Sequence, residues 1–216
     1  MSAVPADTGP QGARELLRAA GRLRSFAPGE VVFHQGDPGD AVFLLLSGHV
    51  AVRVGTPAGD DVTVSVIGSP EEFGELALLR PDHHHTATVV ALDHVRAAAV
   101  PAERFHELRA VHPELSDWLL RMLAGRLERT SVLLADALFV DAEHRVARRL
   151  LDSAVAFGVT EQMSLPLTQD DLAAMAGVTR PTANRALRRL ERRGVVRLGR
   201  RHIEIADLTA LECAGT

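Results

Sequence analysis

Residues 168–193 read TQDDLAAMAGVTRPTANRALRRLERR, and this stretch decides the fold. Leu172, Ala173 and Met175 place apolar groups on one side of a helix expected over residues 169–176. Gly177 follows, and glycine enters the left-handed conformation that ends a helix at little steric cost. Thr179 is positioned to N-cap a second helix, its hydroxyl accepting from an unpaired backbone N–H. Pro181 suits the first turn of that helix, where a missing N–H costs no intrahelical bond. Ala183, Leu187 and Leu190 recur at helical spacing and are expected to point inward, with the small Ala173 where the two helices cross. Arg180, Asn184, Arg185, Arg188 and Arg192 take the opposite face. The pattern predicts a helix-turn-helix whose second helix offers an array of donors to the major groove of DNA. The bland alternative is a solvated basic face on an ordinary helical hairpin. Nine arginines against Glu191 and Glu204 between residues 176 and 205, followed by a hairpin, argue against it.

The charge distribution supports this reading once the chain is divided. The net charge of the 216 residues is -4, which is unfavourable for a partner made of phosphates. Residues 1–138 hold 12 arginines against 18 acids, a balance of -6; residues 139–216 hold 12 against 10, a balance of +2. Local rather than total charge sets attraction to a polyanion. There is no lysine, and arginine's planar fork suits phosphate and guanine. At 46% hydrophobic and 24% charged, the chain has a globular composition, with no apolar run long enough for a bilayer. The opening MSAVPADTGPQGA has no basic segment followed by an apolar one, so it reads as a loose tail rather than a secretory signal. Cys213 is the single cysteine, which excludes an internal disulfide and a cysteine cluster and fits a reducing cytoplasm.

Ahead of the helix-turn-helix the period changes twice. A short helix is expected over residues 14–21. The β-branched segments 31–35, 41–46, 49–54, 61–67 and 86–92 are then separated by turn signals such as Pro28-Gly29, Gly36 to Asp40, Ser47-Gly48, Pro57 to Asp60 and Gly68 to Pro70. Closely spaced strands of this kind predict a small antiparallel barrel or jelly roll. A short helix over 102–111 precedes His112-Pro113, and a long helix is expected over 114–138. Leu120, Leu123, Leu127, Thr130, Leu134 and Ala137 alternate at three- and four-residue spacing, the pattern of a coiled-coil seam. Leu115, Trp118, Leu119 and Met122 form a second stripe suited to packing on the strands. A helix buried on all sides within one domain is the alternative. Phe139-Val140-Asp141 reads as a hinge, with Asp141 capping a helix over 142–156. GVVRLGRRHIEIAD, residues 194–207, reads as strand, turn and strand: a wing whose Arg197, Arg200 and Arg201 reach flanking phosphates. The fold class is therefore α+β, divided as residues 1–112 (barrel with its N-terminal tail), 113–138 (dimerisation helix) and 139–216 (winged helix-turn-helix).

Barrel, long helix and winged helix-turn-helix in that order resemble the cyclic-AMP receptor (CRP/FNR) family of bacterial transcription regulators, over residues 16–207 or so. Gly36, Gly48 and Gly74 match the glycine punctuation of that family's barrel, FGELALL (73–79) resembles the start of its phosphate-binding cassette, and TRPTANR (179–185) resembles its recognition helix. The resemblance implies a homodimer on a pseudo-palindromic operator, with RNA polymerase as a further partner. It implies DNA contacts from Thr168, Gln169, Thr179, Arg180, Thr182, Asn184, Arg185, Arg188, Arg200 and Arg201. It also implies a cyclic AMP-like effector held by Gly74, Glu75, Leu76, Ala77, His85 and Thr86, with Thr130 and Ser131 on the long helix touching the base. Two departures stand out. His85 occupies the position of the phosphate-gripping arginine, and neutral imidazole cannot make a bidentate grip. Pro181 replaces a glutamate that accepts from cytosine N4, so the operator is expected to differ at that base pair.

Other chemistry finds less support in the residues. His83-His84-His85 suggests a metal or haem sensor, but consecutive residues rarely ligate one ion together, and solvated loop histidines with His85 turned toward the pocket are the expected arrangement. Glu75 has two open readings, ribose ligand and structural carboxylate of the cassette turn. Ser65 and Ser131 have no His–acid set beside them in the sequence, and no His-x-His with a spaced Glu appears, so no enzyme is expected. An effector-independent regulator with a degenerate pocket remains the alternative to a liganded one.

Overall fold

The run AVFLLLS has no polar alternation, and the fold explains why. In the computed structural model, which describes residues 10–56, 59, 61–158 and 163–215, this run is strand β3 (Ala41–Ser47). The expected N-terminal tail up to residue 9, and most of the expected turn at 57–60, lie outside the described residues. Helix α1 (Pro10–Ala20) leads into β1 (Arg22–Phe26), β2 (Val31–Phe33), β3, β4 (His49–Gly55), β5 (Asp61–Gly68), β6 (Glu72–Phe73), the short helix α2 (Glu75–Leu79), β7 (Thr88–Ala91) and β8 (Val95–Pro101). The eight strands lie in two antiparallel sheets, ordered β1-β8-β3-β6 and β2-β7-β4-β5, which is jelly-roll connectivity. Phe43, Leu45, Val50, Phe73, Val89 and Ala97 fill the space between them. Val42, Leu44, Ala98 and Val100 point the other way, into a second cluster formed with the helices. Strand β3 is covered on both faces, so its residues are apolar at both parities.

Strand β8 went unread in the sequence, because RAAA carries neither β-branched residues nor alternation. Its alanines answer a packing demand. Leu17 of α1 lies over this sheet, and a Cβ on Gly21 would come within 2.8 Å of the Ala98 Cβ. Larger side chains on β8 would push the helix layer away.

Helix α3 (Ala102–Val111) and the 27-residue α4 (Pro113–Phe139) follow. Leu115, Trp118 and Leu119 bury themselves against Phe105, Leu108 and the outer face of the first sheet. Past Arg126 the helix leaves this body, and Leu127, Leu134 and Leu138 stand in solvent.

Asp141 caps α5 (Ala142–Ala156) as expected, accepting from the Glu143 and His144 amides. Strand β9 (Met163–Leu165), α6 (Gln169–Met175), α7 (Arg180–Arg192), β10 (Val196–Leu198), β11 (Ile203–Ile205) and α8 (Leu208–Gly215) complete the chain. The wing is a three-stranded sheet, β10-β11-β9, one strand more than the sequence pattern disclosed. Its core joins Val146, Leu150, Leu165, Leu172, Ala183, Leu187, Leu190, Val196 and Ile203.

The two ends of the molecule are joined along strand β5. The Thr63 hydroxyl donates to Asp171 Oδ1 at 2.6 Å, and Arg53 Nη2 lies 3.7 Å from the same oxygen. Asp171 also closes a capping box with Thr168 at the start of α6. Nearby, His49 stacks on Phe157 with centroids 3.7 Å apart, and a Cβ on Gly68 would meet the Ala156 carbonyl oxygen at 2.2 Å, so the close approach demands glycine. Burial pushes the Asp171 carboxyl up, but hydrogen bonds from Thr168 and Thr63 and the charge of Arg53 outweigh it, and the group titrates below the usual carboxylate range. A depressed carboxylate stabilises the fold above its unfolded pKa, and that contribution is lost as pH falls. Thr63→Val, which keeps the shape and removes the donor, is expected to lower unfolding stability by about 1.5–3 kcal/mol, the range for a hydrogen bond to a charged group. Urea denaturation at pH 7 checks the loss, which is expected to shrink in acid.

Candidate nucleic-acid interface and effector pocket

The recognition surface is built from the inside outward. Ala183, Ala186, Leu187 and Leu190 of α7 are buried against α5 and α6, and this fixes the rotation of the helix. Arg180, Arg185, Arg188 and Arg192 are thereby forced into solvent, Arg180 with its side chain 70% exposed. Gly177 makes the expected turn, with φ at 59°. Thr179 is the N-cap residue as expected, but its hydroxyl does not accept from the backbone. It lies 3.0 Å from the Thr182 hydroxyl instead. The reason is local: Pro181 has no N–H to offer, and the Thr182 amide already donates to the Thr179 carbonyl at 2.9 Å. Thr182 Oγ1 also accepts from Arg185 Nη2 at 3.2 Å.

Asn184 is half-buried and donates to Gln169 Oε1 at 2.6 Å, so these two expected DNA contacts are bonded to each other. Thr168 donates its hydroxyl to Asp171 Oδ2 at 2.6 Å, which leaves it serving the helix cap. Glu191 pairs with Arg188 at 2.7 Å and accepts from the Leu198 amide at 3.1 Å, fastening the end of α7 to the wing. The Arg188 hydrogen bond holds the Glu191 carboxyl below its ordinary range. Arg200 and Arg201 are exposed at the tip of the wing, Arg201 with φ at 64°. Arg197, by contrast, is paired with Glu204 at 2.8 Å. A groove of ≈ 360 Å³ runs between the wing tip and the starts of α6 and α7, lined by Thr168, Gln169, Asp170, Arg180, Arg200 and Arg201 among others.

One guanidinium holds this unit to the end of α4. Arg145 donates to the Ala137 and Val140 carbonyls at 3.0 Å each, and to the Ala176 and Gly177 carbonyls at 3.0 and 3.3 Å. It satisfies carbonyls at the terminus of the long helix and at the helix-turn-helix turn together. Asp136 nearby is buried and accepts from Arg148 at 2.6 Å and Arg149 at 2.8 Å.

The expected effector residues converge at the other end of the molecule. Gly74, Glu75, Leu76, Ala77, His85 and Thr86 line one pocket of ≈ 80 Å³ together with Phe33, Ile67, Phe73, Val89 and Arg126. His85 is buried, as expected, while His83 and His84 face solvent. Its ring stacks on Phe33, 3.6 Å between centroids and 6° from parallel. Burial lowers the His85 pKa, partly opposed by Asp40 and Asp37, so the ring is neutral at pH 7. Glu75 is 1% exposed and paired with Arg126, which also donates to the Glu72 carbonyl. Its second oxygen, Oε2, is buried without a partner among the described residues. Burial raises the Glu75 pKa and Arg126 pulls it back.

Thr130 and Ser131 stand exposed on α4, outside the lining of the pocket in this single chain; their hydroxyls donate to the Arg126 and Leu127 carbonyls at 2.9 Å each. Serine and threonine in a helix commonly bond back to the carbonyl four residues earlier, which leaves the hydroxyl spent locally. Arg126, one turn earlier, is the residue that enters the pocket. The sequence reading missed it; the available signal was its helical spacing from Met122 and Leu123, one turn earlier, which pack on the core. Among the described residues no group of three His, Cys, Asp or Glu side chains is arranged to hold a metal ion. None of the described helices is long and apolar enough to cross a membrane.

Comparison with known proteins agrees with this architecture. Residues 23–112 match the cyclic nucleotide-binding domain and residues 144–214 the Crp-like helix-turn-helix domain. A CRP-like cAMP-activated global transcriptional regulator of Mycobacterium tuberculosis is 36% identical over 186 residues, covering 84% of this chain and 83% of its own. A cyclic AMP receptor protein of Thermus thermophilus is 33% identical over 192 residues, covering 88% and 86%. The crystal structure of a CRP/FNR-family transcriptional regulator from Thermus thermophilus superimposes with a TM-score of 0.71 at 27% identity, covering 90% of this chain and 98% of that one. Identity sustained through both domains and the helix between them places the chain in the CRP/FNR family of transcription regulators.

Proposed function

We propose that the protein is a cytoplasmic, homodimeric transcription regulator that reads a pseudo-palindromic DNA operator under control of an anionic effector bound beside Glu75 and His85. The observation that carries the DNA reading is the rotation of α7: Ala183, Ala186, Leu187 and Leu190 lie inside, and the helix's five arginines lie outside. Arg180 and Arg185 face the groove floor, each with a fork suited to guanine O6 and N7. Thr168, Thr179, Thr182, Arg188, Arg200 and Arg201 surround them as backbone contacts. RNA polymerase is the further partner that such a regulator acts on.

The dimer reading rests on α4. Leu120, Leu127 and Leu134, seven residues apart, are 66%, 69% and 62% exposed, and nothing among the described residues covers them. A stripe repeating every seven residues fits a second copy of the same helix. The two recognition helices would then enter the major groove about one DNA turn, ~34 Å, apart.

The effector reading rests on the pocket. Its ≈ 80 Å³ is well below the roughly 300–1,000 Å³ of small-molecule sites, because the His85 ring and the Arg126 side chain occupy it. A cyclic nucleotide therefore enters by displacing Arg126 from Glu75 or His85 from Phe33. That cost, with a neutral ring at the phosphate position, makes cyclic AMP a weak ligand. The same self-filled pocket favours a second reading, a regulator that no longer needs a nucleotide.

Leu127→Glu is expected to leave the fold intact and convert dimer to monomer, read by sedimentation, with loss of operator binding. Arg180→Ala is expected to relax preference at one base pair by ~1–3 kcal/mol, and Arg200→Ala to weaken all sequences alike, read by selection from random DNA and by titration. His85→Arg is expected to tighten cyclic AMP about tenfold to a hundredfold by calorimetry, the effect of one charge-assisted contact. A depressed histidine pKa means that the wild type gains its cation only as pH falls below neutrality. Wild-type affinity should therefore rise from pH 7 to 6 while that of the arginine variant stays flat. Equal affinities in the two proteins would favour the nucleotide-independent reading.

A further inference from the structure

Asp170 stands out in the groove between the wing and the recognition helix. Every other charged side chain lining that groove at neutral pH is an arginine: Arg180, Arg200 and Arg201. Asp170 Oδ1 lies 3.1 Å from Arg180 Nε, and the two side chains are 59% and 70% exposed. An ion pair so open to solvent contributes little to folding. The capping work at the start of α6 is done by its neighbour, Asp171. An acid here also opposes the phosphate backbone that the surrounding arginines attract. Beyond the small helix-dipole contribution of an acid in the first turn of α6, Asp170 has no structural partner among the described residues but Arg180, and it carries a cost in general DNA affinity.

Its position supplies a task. The carboxylate lies nearest Nε, 3.1 Å away, as an ion pair without a directed hydrogen bond, so the two Nη atoms stay available. That terminal edge is one that can donate in parallel to guanine O6 and N7. A free arginine side chain loses rotamer entropy when it docks, so a side chain already biased toward one orientation by a neighbouring charge loses less on binding. Pro181, the next residue, has no side-chain acceptor with which to do this, and Asp170 reaches the arginine from the neighbouring helix instead.

We infer that Asp170 is a positioning residue that orients the Arg180 fork, sharpening selection of guanine at one base pair of each half-site while lowering affinity for DNA in general. The inference rests on Arg180 reading a base, as proposed above. The signs of its two effects are opposite, which separates it from a purely electrostatic role.

The test uses the full-length protein and a pool of randomised duplexes, with wild type, Asp170→Asn, Asp170→Ala and Arg180→Ala compared at one ionic strength. Affinity for an unselected duplex is measured alongside. Both Asp170 variants should bind the unselected duplex more tightly and lose guanine preference at one base pair by ~two- to fivefold, the range of an exposed ion pair. Arg180→Ala should erase preference at that same base pair. Tighter binding to every sequence with preference intact in the Asp170 variants would overturn the inference and leave Arg180's role standing. Unchanged preference in Arg180→Ala would overturn both. Melting curves of the two Asp170 variants should match wild type, and a large drop would instead assign Asp170 to the fold.

Discussion

A single carboxylate, Asp171, is where the architecture is tied together. It accepts from the Thr168 amide and hydroxyl to close the cap of α6, and from the Thr63 hydroxyl across the seam to the jelly roll. A buried acid left without donors would be a liability of several kcal/mol. Here each donor comes from a different requirement: one local, in the helix cap, and one distant, in strand β5. The position of the DNA-facing helices relative to the N-terminal sheets follows from satisfying that one group, with the His49–Phe157 stack and the Gly68–Ala156 contact completing the seam.

Arg145 plays the corresponding part at the hinge. Its four carbonyl partners belong half to the end of α4 and half to the turn before α7. A movement of the long helix therefore reaches the recognition helix through a rigid, planar group rather than through a loose linker. Midway along α4, Arg126 enters the pocket and Leu127 faces outward, in adjacent residues. One helix thus connects the pocket, the exposed seam and the hinge, which is the physical basis for expecting the occupant of the pocket to influence DNA binding.

The residues that were legible in advance share a property: their role is set by neighbours within about four positions. Gly177, Asp141 and the inward face Ala183-Leu187-Leu190 belong to this class, as do the alternating strands around residues 49–54 and 61–67. Strand β8 was illegible because its alanines are chosen by the helix lying on them. Strand β9 was illegible because three residues carry no period, and only pairing with β11 makes them a strand. The Thr179 hydroxyl was misread because Pro181, two residues on, removes the donor that it was expected to receive.

The sequence by itself determined the order of elements, the basic face of the recognition helix and the heptad stripe on α4, since periodicity and residue chemistry act over one or two turns of chain. Only the tertiary structure decided that Arg126 enters the pocket, that Asn184 is held by Gln169, and that Asp170 faces Arg180. These are contacts between side chains 15, 10 or 51 residues apart, Asn184–Gln169, Arg180–Asp170 and Arg126–Glu75, and they depend on the angles at which helices cross and sheets meet. Those angles come from the packing of whole faces, which no local pattern encodes.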